Sequence, residues 1–89
     1  MSDVLQDSLT RTVVEMVVKA TDGTVDAETA QRTDQTFADA GMTSLAFLRL
    51  VDALEIRFGV EIDLETELDQ MRTVELIVAY LRNQGVADA

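Results

Sequence analysis

Gly41-Met42-Thr43-Ser44-Leu45-Ala46-Phe47-Leu48-Arg49-Leu50-Val51-Asp52-Ala53-Leu54-Glu55-Ile56-Arg57-Phe58-Gly59 is the stretch that decides the fold. At about 100° per residue, Phe47, Leu50, Val51, Leu54 and Phe58 fall on one side, the pattern of an amphipathic helix. The spacing predicts a helix from Ser44 to about Phe58, with Thr43 or Ser44 as its cap and Gly59 as its stop. The opposite face carries Arg49, Asp52 and Glu55, and with them Leu45, Leu48 and Ile56. Single exposed leucines are ordinary on protein surfaces. Three apolar side chains on one short face, beside charges, read as a docking surface.

Ser44 opens this helix where a polar loop gives way to an apolar run. The chain has no histidine and no cysteine. A hydrolytic role for Ser44 therefore lacks a base to activate the hydroxyl, and so small a chain has no room for a cleft built around a catalytic triad. Serine and threonine at helix starts are usually caps. If Thr43 caps instead, the Ser44 hydroxyl is free. A phosphate attached to it would meet the unpaired N–H groups and positive end of the helix. Local physics alone favours the cap.

Working outward, Leu5, Leu9, Val13, Met16 and Val17 recur at helical spacing. They predict a first helix from about Asp3 to Lys19, capped by Ser2 or Asp3 and followed by Gly23. Residues 21–43 are rich in Thr, Asp, Gln and Ala, long for a structureless loop. A turn of helix is expected over 26–31, with Phe37 as the one large apolar anchor. Past Gly59 the chain returns to a loop. Asp63 is placed to cap a short third helix, from Leu64 to about Asp69. Thr73 caps a last helix through Asn83, with Val74, Ile77, Val78 and Leu81 on one face and Gly85 at its end. The expected fold class is all-α: a four-helix bundle of three longer helices and one short third helix, with a long first loop.

Composition bounds function. The 89 residues imply a single domain, and 47% apolar residues are enough for a folded core. Without cysteine there is no disulfide and no thiolate metal site. Asp22-Gly23-Thr24-Val25-Asp26 lacks the alternating acids and closing glutamate of a calcium-binding loop. A net charge of −10 disfavours nucleic acid, whose phosphates need Lys and Arg, and would steer basic partner surfaces toward the chain. No membrane span and no signal peptide are visible, so a cytoplasmic monomer is expected.

Phe37-Ala38-Asp39-Ala40-Gly41-Met42-Thr43-Ser44-Leu45 resembles the attachment signature of acyl and peptidyl carrier proteins. Arg57-Phe58-Gly59-Val60-Glu61-Ile62 resembles the end of that family's second helix and its following loop. Thr73-Val74-Glu75-Leu76 resembles the start of its last helix. The resemblance spans about residues 3–84.

It implies a carrier rather than an enzyme. Ser44 would hold 4′-phosphopantetheine through a phosphodiester, with acyl, aminoacyl or peptidyl cargo carried as a thioester on the arm's terminal thiol. It implies a phosphopantetheinyl transferase that installs the arm from coenzyme A and a loading enzyme, either an adenylating ligase or an acyltransferase. Downstream it implies ketosynthase, condensation or transfer enzymes. By the same resemblance, Leu45 and Leu48 match apolar contact positions for partners and Glu55 an acidic one. Thr43, Arg49, Asp52 and Ile62 complete the expected recognition surface. Leu50, Val51, Leu54, Phe58 and Ile62 match positions lining the bundle interior, where some carriers shelter cargo. Charge reversal at Glu55, or polar substitution at Leu48, is expected to weaken partner turnover while leaving the fold intact.

Thr43 replaces the family's usual Asp, and Ala46 and Arg49 stand where fatty-acid carriers often have acids. Together with Phe58-Gly59-Val60-Glu61-Ile62, these departures lean toward a carrier of polyketide or nonribosomal-peptide type, modified by a broad-specificity transferase; a discrete, type II carrier is expected. An excised domain of a larger synthase and a carrier-like interaction module that is never modified are the alternatives.

Overall fold

A computed structural model describes residues 8–86. Five α-helices follow in order: α1 (Ser8–Ala20), α2 (Ala27–Ala30), α3 (Ser44–Phe58), α4 (Leu64–Glu67) and α5 (Val74–Asn83), with a 3-10 turn over Leu68–Met71. No strand occurs among the described residues. The expected bundle is therefore present, and α2 is an extra turn within its long first loop. The Asp3 start of the first helix, its cap at Ser2 or Asp3, and Leu5 lie outside the described residues.

α1 packs against α3 and α5, and α5 also meets the 3-10 turn. Leu9, Val13 and Val17 of α1, Leu50 and Leu54 of α3, and Ile77 and Leu81 of α5 are fully buried. These are the apolar stripes that the sequence periodicity marks. Each fully buried large aliphatic group contributes about 1.5–3 kcal/mol relative to exposure. The common core is thus the main source of stability.

The long loop is pinned at several apolar points, Ala30 of α2 among them, and not at Phe37 alone. Val25 is fully buried, Phe37 is 5% exposed, and Met42 also packs into the core. Polar bonds reinforce the packing at Val25. Thr21 Oγ1 donates to the Val17 carbonyl at 3.0 Å and accepts from the Val25 N–H at 3.1 Å. Asp26 caps α2 by accepting from the Thr29 N–H at 2.8 Å.

Each cap places a threonine or aspartate where the sequence suggests. Thr43 caps α3, Asp63 caps α4 and Thr73 caps α5. Gly59 ends α3 with φ of +68°, a conformation that costs a residue bearing a Cβ. The third helix is shorter than expected as an α-helix. It tightens into the 3-10 turn at Leu68 and continues to Met71, which is fully buried.

Candidate functional site

The site begins with a loop wound tightly ahead of α3. Thr36 and Asp39 cap one another: the Asp39 N–H donates to Thr36 Oγ1 at 3.2 Å, and the Thr36 N–H donates to Asp39 Oδ2 at 3.3 Å. The Met42 N–H then returns to the Phe37 carbonyl at 3.0 Å. Gly41 makes this turn possible with φ of +102°. The chain leaves it aimed at the first turn of α3.

Thr43 resolves which hydroxyl caps. Its Oγ1 accepts from the Ala46 N–H at 3.1 Å, and its carbonyl accepts from the Phe47 N–H at 2.9 Å. Ser44 is the first helical residue and is exposed. Among the described residues its hydroxyl has no hydrogen-bond partner, and the N–H groups of Ser44 and Leu45 have none either. A free primary hydroxyl thus stands beside two free N–H groups at the positive end of a four-turn helix. That arrangement fits a phosphate ester.

Next to Ser44 lies a cleft of about 400 Å³. Phe37 and Met42 form one wall, Phe47 and Leu48 of α3 the floor, and Leu64 and Leu68 the far wall. Ser44, Thr43, Thr36 and Arg72 also line it. Pockets of this volume are common seats for small organic groups. Leu50 and Leu54 do not line this cleft. They are fully buried in the bundle, and Val51 and the half-buried Phe58 also lie elsewhere. The apolar space nearest Ser44 is therefore lateral, between the loop, α3 and α4, and differs from the interior positions suggested by resemblance.

The remaining predicted residues separate into two groups. Leu45 is 59% exposed and Leu48 53%, with Arg49 and Asp52 exposed beside them. This is the surface anticipated for docking, and Ile56 extends it along the helix. Glu55 and Ile62 behave differently. Both are half-buried, and Glu55 Oε2 accepts from the Ile62 N–H at 2.9 Å. Charge reversal at Glu55 would remove an internal acceptor. Such a variant therefore loosens the loop after α3 as well as changing the helix surface.

Sequence reasoning missed a polar anchor across the loop after α3. The Tyr80 hydroxyl lies 3.0 Å from the Glu61 carbonyl and 3.1 Å from Glu67 Oε1. That same Glu67 oxygen accepts from the Asp63 N–H at 2.9 Å. Burial pushes the Tyr80 phenol above its ordinary pKa, reinforced by its hydrogen bond to Glu67 and by the charges of Glu67 and Glu55. A tyrosine amid the apolar residues of the last helix was the only signal available. Arg72, at the edge of the cleft, was also missed.

With this geometry in hand, the phosphopantetheine attachment site family matches residues 11–81. The chain belongs to that family. Its members are carriers rather than catalysts and bear covalently attached 4′-phosphopantetheine. No curated protein and no solved structure gave a significant match. Among the described residues, no helix is long and apolar enough to cross a membrane.

Proposed function

We propose that Ser44 is the attachment point and that the chain presents acyl or aminoacyl intermediates to successive biosynthetic enzymes. The observation that carries this reading is the division of labour between adjacent hydroxyls. Thr43 satisfies the helix start, and Ser44 is left exposed and unpartnered at its positive end. When bound, the phosphopantetheine group supplies a thiol that holds cargo as a thioester. The chain's own residues supply the rest. Ser44 fixes where the arm begins, the Ser44 and Leu45 N–H groups face its phosphate, and Leu45 and Leu48 present an apolar surface to partners.

The same reading extends to the pathway. Thr43 in place of an acid favours a broad-specificity phosphopantetheinyl transferase. The exposed charged residues of α3 are Arg49, Asp52 and Arg57, so its surface has no excess of acid. Both features support a carrier of polyketide or nonribosomal-peptide type, served by an adenylating ligase or acyltransferase, and we place it as a discrete, type II protein. A single carrier domain over residues 1–89, monomeric and cytoplasmic, completes the proposal.

Intact mass after incubation with a broad transferase, magnesium and coenzyme A tests the attachment directly. The expected result is one phosphopantetheine adduct on the wild-type chain and none on Ser44→Ala. No adduct, or an adduct that persists in Ser44→Ala, would overturn it in favour of an unmodified interaction module or a different serine.

A further inference from the structure

Four polar residues line the cleft at the start of α3: Thr36, Thr43, Ser44 and Arg72. The oxygens of Thr36 and Thr43 serve as local caps. Ser44 is the proposed attachment point. Arg72 remains, and it is the cleft's one charged side chain. Its Nε donates to Asp69 Oδ1 at 2.9 Å. Its two terminal nitrogens have no hydrogen-bond partner among the described residues.

The residue is held in place through its main chain. The Arg72 carbonyl accepts from the N–H of buried Phe37 at 2.9 Å, which ties the end of the 3-10 turn to the loop ahead of α3. That bond leaves the guanidinium out of the joint between turn and loop. Asp69 is 89% exposed, so water screens its charge and it occupies only the Nε edge. A guanidinium with its outer fork free is matched to the paired oxygens of a phosphate or carboxylate. Elsewhere a chain of net charge −10 repels such groups.

We propose that Arg72 is an anion-binding residue of the cleft. Its free fork takes a negatively charged oxygen pair on whatever is tethered at Ser44. This rests on Ser44 as attachment point. Two sources share the chemistry: the phosphodiester of the arm and a carboxylate at the end of the cargo. By binding either, Arg72 holds the tethered group against the Phe47, Leu64 and Leu68 side of the cleft.

The test uses the protein in apo, arm-only, butyryl-loaded and succinyl-loaded forms. Proton–nitrogen NMR spectra follow the Arg72 Nε–Hε signal and the amides of Phe47, Leu64 and Leu68. A displaced Arg72 signal in every armed form assigns the phosphodiester. Displacement confined to the succinyl form assigns the cargo carboxylate. In Arg72→Gln the responses at Leu64 and Leu68 should be lost, and Arg72→Lys should restore only part of them. An Arg72 signal unchanged across all forms, or cleft responses that persist in Arg72→Gln, would overturn the proposal. Intact mass of the same samples reports attachment separately, so failure of the Ser44 reading appears as missing mass and failure of this one as an unmoved Arg72 signal.

Discussion

The bundle and the far wall of the cleft are built from different materials. Where α1, α3 and α5 meet, seven aliphatic side chains from Leu9 to Leu81 are fully buried. Between residues 59 and 70 no side chain is fully buried: Val60, Ile62 and Leu64 are half-covered, and Leu68 is 40% exposed. That segment adds two polar anchors to its partial packing on the core: Glu55 on the Ile62 N–H, and Tyr80 between Glu61 and Glu67. Hydrocarbon burial is diffuse and cooperative, whereas a few hydrogen bonds each contribute only about 0.5–1.5 kcal/mol net. The difference predicts that the wall opens more readily than the frame. Local opening draws on such sparsely packed, hydrogen-bonded segments.

The largest effect should come from the frame. Leu54→Ala opens a cavity in the fully buried centre of α3 and is expected to cost about 2–5 kcal/mol. Urea unfolding should show the loss as a single shifted transition. Hydrogen exchange should rise across α1, α3 and α5 together. Faster exchange confined to α4 would break the contrast, because it would mean that the frame is no more cooperative than the wall.

Glu55→Ala tests the wall. It leaves the half-buried Ile62 N–H without its acceptor and should cost about 1–3 kcal/mol. Glu55→Gln keeps a carbonyl oxygen at the same place and should recover most of that. Exchange should accelerate over residues 60–68 and little in α1. If Ala and Gln variants unfold alike, the carboxylate is not what anchors the loop.

Much of this architecture was legible in the sequence because apolar spacing reports burial directly. The stripes of Leu9, Val13 and Val17 and of Leu50 and Leu54, and the threonine caps at Thr43 and Thr73, follow from pattern and local chemistry. The wall did not, because its anchors join residues seven to nineteen positions apart, outside the spacing a helix pattern reports. Glu55 reads as a surface charge at helical spacing until Ile62 folds back onto it. Tyr80 reads as core until its hydroxyl meets Glu61, nineteen positions away. Val25 was hidden by its polar neighbours, since one apolar residue in a loop has no period. At the site, Ser44 stood out through its motif, whereas Arg72 stood out only once the cleft brought it near.

Tyr80→Phe removes one hydroxyl from the wall and leaves the ring in the frame, so it separates the two materials within one residue. The loss should be about 1 kcal/mol near neutral pH. The alkaline behaviour gives a second readout. The folded phenol titrates above its ordinary value of 10.0, with burial as the leading cause. A raised folded pKa means that the contribution is fully present below about pH 10 and is lost as pH climbs through the folded value. Wild-type stability should therefore fall on the alkaline side more steeply than that of Tyr80→Phe. Parallel profiles would show that the phenol's surroundings do not couple to folding.

The smallest expected effect lies where frame and cleft meet. Thr43→Asp retains a side-chain oxygen for the Ala46 N–H and adds a negative charge at the positive end of α3. Such a charge stabilises by about 0.3–1 kcal/mol at an exposed helix start, so the variant should melt slightly higher than wild type. Thr43→Ala should lose about 1 kcal/mol through the missing cap. Both substitutions stand directly before Ser44, so their modification rates carry information that their stabilities do not. A transferase that reads the charge should act faster on the Asp variant, while one that reads only the ordered helix start should treat Asp and Thr alike and slow on Ala. Equal rates on all three, despite the stability difference, would show that the capped first turn of α3 is not what the transferase recognises.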